Sequence, residues 1–136
     1  MRKENIDFIC PEFPETGICG TFRRRGARFG FVERYPRDKE AVTGIGYEPW
    51  HFRYVGAPHA AIMRDNGLTL EEYHDFLRDF PSGARPYLYR EGTRAVEVSY
   101  LAAERLADWR AVLENALCAV SGNNADGFVL TVWRSL

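Results

Sequence analysis

The spacing of hydrophobic residues changes several times along the chain, and each spacing predicts a different element. Residues 6–13 predict a short strand that prolines then interrupt. Between residues 16 and 29, apolar positions recur at the spacing of one helical face: Cys19, Phe22, Gly26 and Phe29. Gly30 is suited to end this helix. The arginines of this helix lie mostly on its other faces. They are predicted to form a solvated surface rather than an anion site: Arg23, Arg24, Arg25 and Arg28.

The pattern then changes from helical to extended. Residues 30–36 predict a strand, and a charged loop over residues 37–46 leads to a second strand within residues 48–56. Because successive side chains of a strand point to opposite faces, the second strand would separate an aromatic set from a more polar one. These two sets are Trp50, Phe52 and Tyr54 on one face, which would form a wall of the core, and His51, Arg53 and Val55 on the other.

Two helices are predicted next. Residues 58–67 predict a short helix, with Pro58 in the first turn, where proline is tolerated. Residues 69–80 predict another, because Thr69 and Glu72 have the spacing of a capping box. The apolar stripe of this second helix consists of Leu70, Tyr73, Leu77 and Phe80.

The last part of the chain has mostly strand character. After the Pro- and Gly-containing segment 81–86, residues 87–101 predict a hairpin that turns at Glu91-Gly92. Residues 112–120 and 127–133 predict two more strands. Residues between the hairpin and these strands, 102–109, are either a helical turn or a loop.

These elements predict an α+β fold. A small antiparallel sheet would carry helices on one face, and a mostly β unit would follow it. Segment 81–86 is the clearest boundary, so the domains expected are residues 1–80 and residues 81–136.

Composition excludes several classes of protein. The 136 residues carry a formal net charge of −1, whereas nucleic-acid-binding proteins are usually strongly basic. The chain has no apolar run long enough for a membrane helix or a signal peptide, so a soluble protein is expected. Three cysteines leave at least one unpaired, and free thiols are favoured over a Cys10–Cys19 bridge.

The segment GYEPWHFRYVG, residues 46–56, gathers the candidate chemistry. His51 is a potential metal ligand, and Glu48 is a potential base for a metal-activated water. Pro49 disfavours helix at Glu48, and a bend there would bring the carboxylate to the side of His51. Arg53 would share that side and could bind a substrate carboxylate in bidentate fashion. On residue types alone, a structural role for the histidine is favoured over a catalytic one.

This segment closely resembles the Glu-x-Trp-His signature of the VanX/VanY family of zinc D,D-peptidases. The preceding residues 27–45, ARFGFVERYPRDKEAVTGI, resemble VanY-type D-alanyl-D-alanine carboxypeptidases as well. The resemblance covers about residues 5–80 and implies that Glu48 is the general base and His51 a zinc ligand. It also implies a peptidoglycan stem peptide ending in D-Ala-D-Ala as substrate, with a link to glycopeptide resistance and to the cell envelope. Carboxypeptidase and dipeptidase activity both remain open.

The same family carries an upstream motif, Ser-x-His-x-x-Gly-x-Ala-x-Asp, that provides two further zinc ligands. That motif is not found in this sequence, whose three histidines are His51, His59 and His74. The expectation is therefore the C-terminal part of a VanY-type enzyme, binding zinc weakly or not at all and inactive by itself. The alternative is a non-catalytic remnant that acts as a binding module. Exposed apolar sheet surface would favour self-association.

The other ionisable residues of this region have structural explanations. His59 is predicted to lie at the surface or to cap a helix, rather than to bind metal. His74 is predicted at the edge of the apolar stripe. Glu71 and Glu72 are explained by the start of their helix, where negative charge is favourable.

Overall fold

The structure, a computed structural model, describes residues 10–135 and divides into two compact units, with the boundary after Tyr73. The predicted strand over residues 6–13 therefore lies largely outside the described residues. None of the helices in the described part is long and apolar enough to cross a membrane. The first unit contains α1 (Gly17–Arg25), a 3-10 turn (Gly26–Phe29), β1 (Phe31–Glu33), α2 (Glu40–Thr43), β2 (Phe52–Tyr54), α3 (Ala57–Asn66) and the start of α4 (Leu70–Arg78).

β1 and β2 form a two-stranded antiparallel sheet in which Val32 lies opposite Arg53. Backbone hydrogen bonds extend the pairing beyond both strands. The Arg34 N–H donates to the His51 carbonyl at 2.8 Å, and the Val55 N–H donates to the Gly30 carbonyl at 2.8 Å. The pairing of the two strands therefore continues into the segment that contains His51.

Helix α3 provides most of the core of the first unit. Four consecutive residues are buried, Ala60, Ala61, Ile62 and Met63, and the helix packs against the 3-10 turn and β1. Gly30, with φ 87°, allows Tyr54 and Gly56 to approach the end of the 3-10 turn closely, because an added Cβ would lie 2.6 Å from the Tyr54 ring. Only glycine adopts that backbone region at low cost.

Both predicted helices of the middle region are confirmed, including the capping box. The Thr69 N–H donates to Glu72 Oε2 at 2.9 Å, and the Glu72 N–H donates to Thr69 Oγ1 at 3.2 Å. This reciprocal pair satisfies backbone donors that a helix start leaves without intrahelical partners. On the apolar stripe of α4, Tyr73 and Leu77 are buried as the spacing predicts.

The second unit contains a four-stranded antiparallel sheet in the order β3-β4-β6-β5. The predicted hairpin at Gly92 is confirmed, and the long strands β4 and β6 lie at the centre, where Val98, Leu101 and Leu130 are almost fully buried. The elements after α4 are β3 (Tyr87–Glu91), β4 (Arg94–Ala102), a 3-10 helix (Ala103–Trp109), α5 (Arg110–Asn115), β5 (Cys118–Gly122) and β6 (Gly127–Ser135).

The α+β prediction is confirmed, but several local predictions are wrong. The charged loop 37–46 contains the short helix α2, and the strand predicted over residues 112–120 is replaced at its start by α5. A run such as Val-Leu-Glu-Asn fits either element, because apolar runs this short do not separate strand from helix. Phe29, placed on the apolar face of the first helix, is 66% exposed. The favoured free thiols are confirmed, since all three cysteines are unpaired.

Candidate active site at the Glu48–His51 turn

The candidate residues Glu48 and His51 lie on a turn rather than on a strand. The Glu48 N–H donates to the Tyr35 carbonyl at 3.1 Å, and the His51 N–H donates to the Glu48 carbonyl at 3.1 Å. Pro49 occupies the second position of this turn, where its fixed φ is favourable. The predicted strand thus begins later, at Phe52, and the predicted bend at Pro49 is a complete turn.

The turn brings the two predicted side chains into contact. Glu48 Oε2 lies 2.9 Å from His51 Nδ1, a hydrogen-bond distance in which the carboxylate accepts and the imidazole donates. The side chains remain 29% and 44% exposed, respectively, so a ligand can reach both. A carboxylate and an imidazole that face one small volume can share a metal ion or move a proton between them and a bound water.

Tyr35 and Arg34 support this pair from the end of β1. The ring centroids of Tyr35 and His51 are 5.0 Å apart with nearly perpendicular planes, and the Arg34 guanidinium lies 4.6 Å from the Tyr35 centroid. Arg34 also forms a bidentate ion pair with Glu71, with N–O distances of 3.1 and 2.6 Å. Sequence reasoning missed both residues, because nothing in a local pattern links β1 to the start of α4.

Glu71 and Glu72 therefore do more than favour a helix start. Burial raises the pKa of Glu71, but hydrogen bonding and the charge of Arg34 outweigh burial and leave the pKa below its usual value. Glu72 accepts from Lys39 Nζ at 2.8 Å, and this bond, with the Thr69 N–H, lowers its pKa. Both carboxylates connect α4 to the segment that precedes the turn.

Arg53 lies on β2, opposite Val32, with its side chain exposed. Arg53 follows His51 by two positions, and the alternation of a strand would place the two residues on the same side of the sheet. The role of Arg53 in binding stays a prediction.

The aromatic residues of the segment do not form the wall of core that alternation predicts. Phe52 packs against Phe22 and Phe13, with centroid distances of 4.9 and 5.2 Å, but Tyr54 is 65% exposed. A two-stranded sheet has too little area to bury both of its faces. The result is an open apolar groove beside the turn, lined by Phe13, Ile18, Cys19, Phe22, Trp50 and Phe52.

The other two histidines, His59 and His74, are not part of the Glu48–His51 pair. The prediction of a surface or capping role for His59 is wrong: burial lowers its pKa to about 4, and its Nδ1 lies 2.7 Å from the Tyr73 hydroxyl. His74 is half-buried beside the stripe of α4, as predicted. Within residues 10–135, no group of three or more His, Cys, Asp or Glu side chains is placed to hold a metal ion.

Comparisons with known proteins give the site its context. The family model for VanY D-alanyl-D-alanine carboxypeptidases matches residues 3–57, which include the whole turn. The bifunctional D-Ala-D-Ala dipeptidase and carboxypeptidase VanXYC of Enterococcus gallinarum is 49% identical over 76 residues, which are 56% of this chain and 40% of that protein. A D-alanyl-D-alanine carboxypeptidase of Enterococcus faecium is 40% identical over 106 residues, 78% of this chain and 33% of that protein.

The fold agrees with a solved structure over almost the whole chain. The crystal structure of the vancomycin-resistance D,D-dipeptidase VanXYg, in complex with a D-Ala-D-Ala phosphinate analogue, superposes with a TM-score of 0.86 at 45% identity. The match covers 98% of this chain and 53% of that one. This chain belongs to the VanX/VanY family of D,D-peptidases. It spans about a third to a half of the length of these VanX/VanY relatives.

Proposed function

We propose that the Glu48–His51 turn supplies the general base and one zinc ligand of a D-Ala-D-Ala peptidase active site. The observation that carries this proposal is the 2.9 Å contact between Glu48 Oε2 and His51 Nδ1 on an exposed turn within the family-matched segment. A contact that served only to stabilise the fold would be expected to be buried. The substrate class follows from the relatives, which act on D-Ala-D-Ala.

The residue types fit zinc as part of a ligand set. Zinc is bound by imidazole nitrogen and carboxylate oxygen, and a catalytic site usually takes about three protein ligands. When bound, the ion supplies a Lewis acid and a water of lowered pKa. One imidazole and one carboxylate cannot complete such a site, so further ligands have to come from residues other than this pair.

The protein side chains would then have separate tasks. His51 holds the metal through its imidazole, and Glu48 accepts a proton from the attacking water at a carboxylate oxygen. Arg53, which strand alternation would place on the same side as His51, would bind the terminal carboxylate of a stem peptide ending in D-Ala-D-Ala. Bidentate binding of a carboxylate by arginine fixes orientation as well as charge.

The test of Glu48 separates two chemical roles. In an active protein that carries this chain, Glu48→Gln should lower kcat about 10²–10⁴-fold if Glu48 is the base, with zinc affinity little changed. If Glu48 instead orients His51, zinc affinity should fall about 10–100-fold. D-alanine release and zinc titration measure these two effects, and Glu104→Gln, which changes an exposed carboxylate of the second unit, is the control. Unchanged turnover in Glu48→Gln would remove Glu48 from the mechanism.

The isolated 136-residue chain provides a second test. We expect weak zinc binding and no release of D-alanine, because a single imidazole with a carboxylate holds zinc loosely. Metal analysis after dialysis, together with a D-alanine assay, measures both. Stoichiometric zinc that survives dialysis, with turnover, would contradict the expectation. Sedimentation of the same sample tests whether the apolar groove beside the turn promotes self-association.

A further inference from the structure

The guanidinium of Arg23, a side chain that is mostly buried, contacts the middle of the Glu48–His51 turn. Arg23 lies in the second half of α1, and its Nη2 donates to the Pro49 carbonyl at 3.1 Å. Its Nη1 forms an ion pair with Glu33 of β1. One planar group thus links α1 to both the sheet and the turn. We propose that Arg23 is a positioning residue that fixes the relative placement of Glu48 and His51 by holding the Pro49 carbonyl.

The environment of Arg23 makes this contact strong and well defined. The side chain is 19% exposed, and its guanidinium lies 5.4 Å from the Phe13 centroid and 5.8 Å from the Phe52 centroid. Aromatic faces attract a cation, and low exposure to water strengthens its hydrogen bonds. Arg23 Nε is buried without a hydrogen-bond partner among the described residues. The side chain therefore keeps this position even though one donor stays unsatisfied, which is costly.

The Pro49 carbonyl belongs to the central peptide of the turn, which the backbone bonds at its ends do not hold. Those bonds involve the Glu48 N–H, the Glu48 carbonyl and the His51 N–H. A side-chain bond to this carbonyl ties the corner of the turn to α1 and, through Glu33, to β1. Arg23 thereby limits displacement of the backbone segment that carries Glu48 and His51.

Arg23→Lys and Glu33→Gln distinguish positioning of the turn from general anchoring of α1. Lysine keeps the positive charge for Glu33 but lacks the planar fork that reaches Glu33 and the carbonyl together. Glutamine at position 33 removes the ion pair and leaves the Arg23–Pro49 bond in place. The proposal predicts that the lysine variant loosens the turn, whereas the glutamine variant does not.

The experiment is amide hydrogen exchange followed by NMR on the 136-residue chain. In Arg23→Lys, exchange at the Glu48 and His51 amides should become about 10-fold faster or more, while the reference amides of Ala60 and Leu68 change little. In Glu33→Gln, all four amides should stay within about 2-fold of the wild type.

Three results would overturn the proposal. The first is unchanged exchange at Glu48 and His51 in Arg23→Lys. The second is an equal acceleration at Ala60 and Leu68, or loss of the fold, either of which assigns Arg23 a role in overall stability. The third is acceleration in Glu33→Gln as large as in Arg23→Lys, which assigns the effect to the ion pair.

The inference rests on the proposed function only in treating the Glu48–His51 turn as part of an active site. Exchange is measured without metal or substrate, so its outcome does not depend on catalysis. If Glu48→Gln spares turnover while Arg23→Lys loosens the turn, the proposed base is wrong and the positioning contact stands. If instead Glu48→Gln abolishes turnover and Arg23→Lys leaves exchange unchanged, Glu48 remains the proposed base and Arg23 is not a positioning residue.

Discussion

Two turns of this protein contrast in how they use their polar groups. The Glu48–His51 turn leaves its side chains partly exposed, and they contact each other. The turn between β5 and β6 buries Asn123, whose Oδ1 accepts hydrogen bonds from the N–H groups of Ala125, Asp126 and Gly127 at 2.9, 3.1 and 3.1 Å. The first turn keeps donors and acceptors available for a ligand, whereas the second uses them to stabilise the chain.

An arginine supports each turn, but at a different kind of atom. Arg78 binds the Asp126 side chain with N–O distances of 2.7 and 3.1 Å. Arg23 binds the Pro49 carbonyl and leaves the Glu48 carboxylate free of arginine contact in the described structure. A carboxylate neutralised by arginine is a poor base, so contact with a backbone atom instead of the carboxylate agrees with the base role proposed for Glu48. The same residue type thus serves stability in one turn and site geometry in the other.

The largest expected effect is on the β5–β6 turn. Asn123→Ala removes the acceptor for three backbone N–H groups and should lower the free energy of unfolding by about 2–4 kcal/mol. Urea denaturation of the chain measures it, and Asn123→Asp, which keeps an acceptor oxygen, is the control. A loss below about 0.5 kcal/mol, the range typical of surface changes, would remove the contrast between the two turns.

His59, which is less exposed than His51, extends the contrast to pH. Burial lowers the pKa of His59 to about 4. As the pH falls, the imidazole of the unfolded chain is protonated before that of the folded chain. The free energy of unfolding is therefore at its full value above about pH 6.5 and decreases by up to about 3 kcal/mol as the pH drops toward 4. Denaturation at several pH values should show this slope in the wild type, and His59→Gln should lack it between pH 6.5 and 4. Parallel slopes in the two proteins would contradict the assignment.

Asp126 should give a smaller pH effect at lower pH. Hydrogen bonds from Arg78, then from Asn123, hold its pKa well below the usual range. Because the folded form has the lower pKa, the stabilisation is present above the unfolded value, about 3.9, and is lost as the pH falls below it. The slope of stability against pH in this acid range should be shallower in Asp126→Asn. Glu104→Gln, which removes an exposed carboxylate from the same unit, is the control.

The smallest expected effect concerns the candidate site itself. Glu48→Gln should change the free energy of unfolding by no more than about 0.5 kcal/mol, because the Glu48–His51 contact is partly exposed. Thermal denaturation of the two proteins side by side measures it. A destabilisation of about 2 kcal/mol or more would mean that the pair is structural. That result would also weaken the proposed role of the turn in catalysis.

Local sequence patterns predicted those features that depend on neighbours in the chain. The capping box of Thr69 and Glu72, the hairpin at Gly92 and the contact between Glu48 and His51 all join residues close in sequence. The patterns failed for α5 and for the exposed face of β2, since burial there depends on what the rest of the fold places nearby. A short apolar run carries no information about that partner surface.

The sequence by itself determined which side chains the candidate site brings together, because Glu48, Pro49 and His51 lie within one turn and proline restricts how that turn can form. Only the tertiary structure decided what holds the turn in place. Arg23 reaches Pro49 across 26 positions, and Arg34 reaches Glu71 across 37. Contacts at such separation arise when helices pack on a sheet and exclude water, and no local period encodes them.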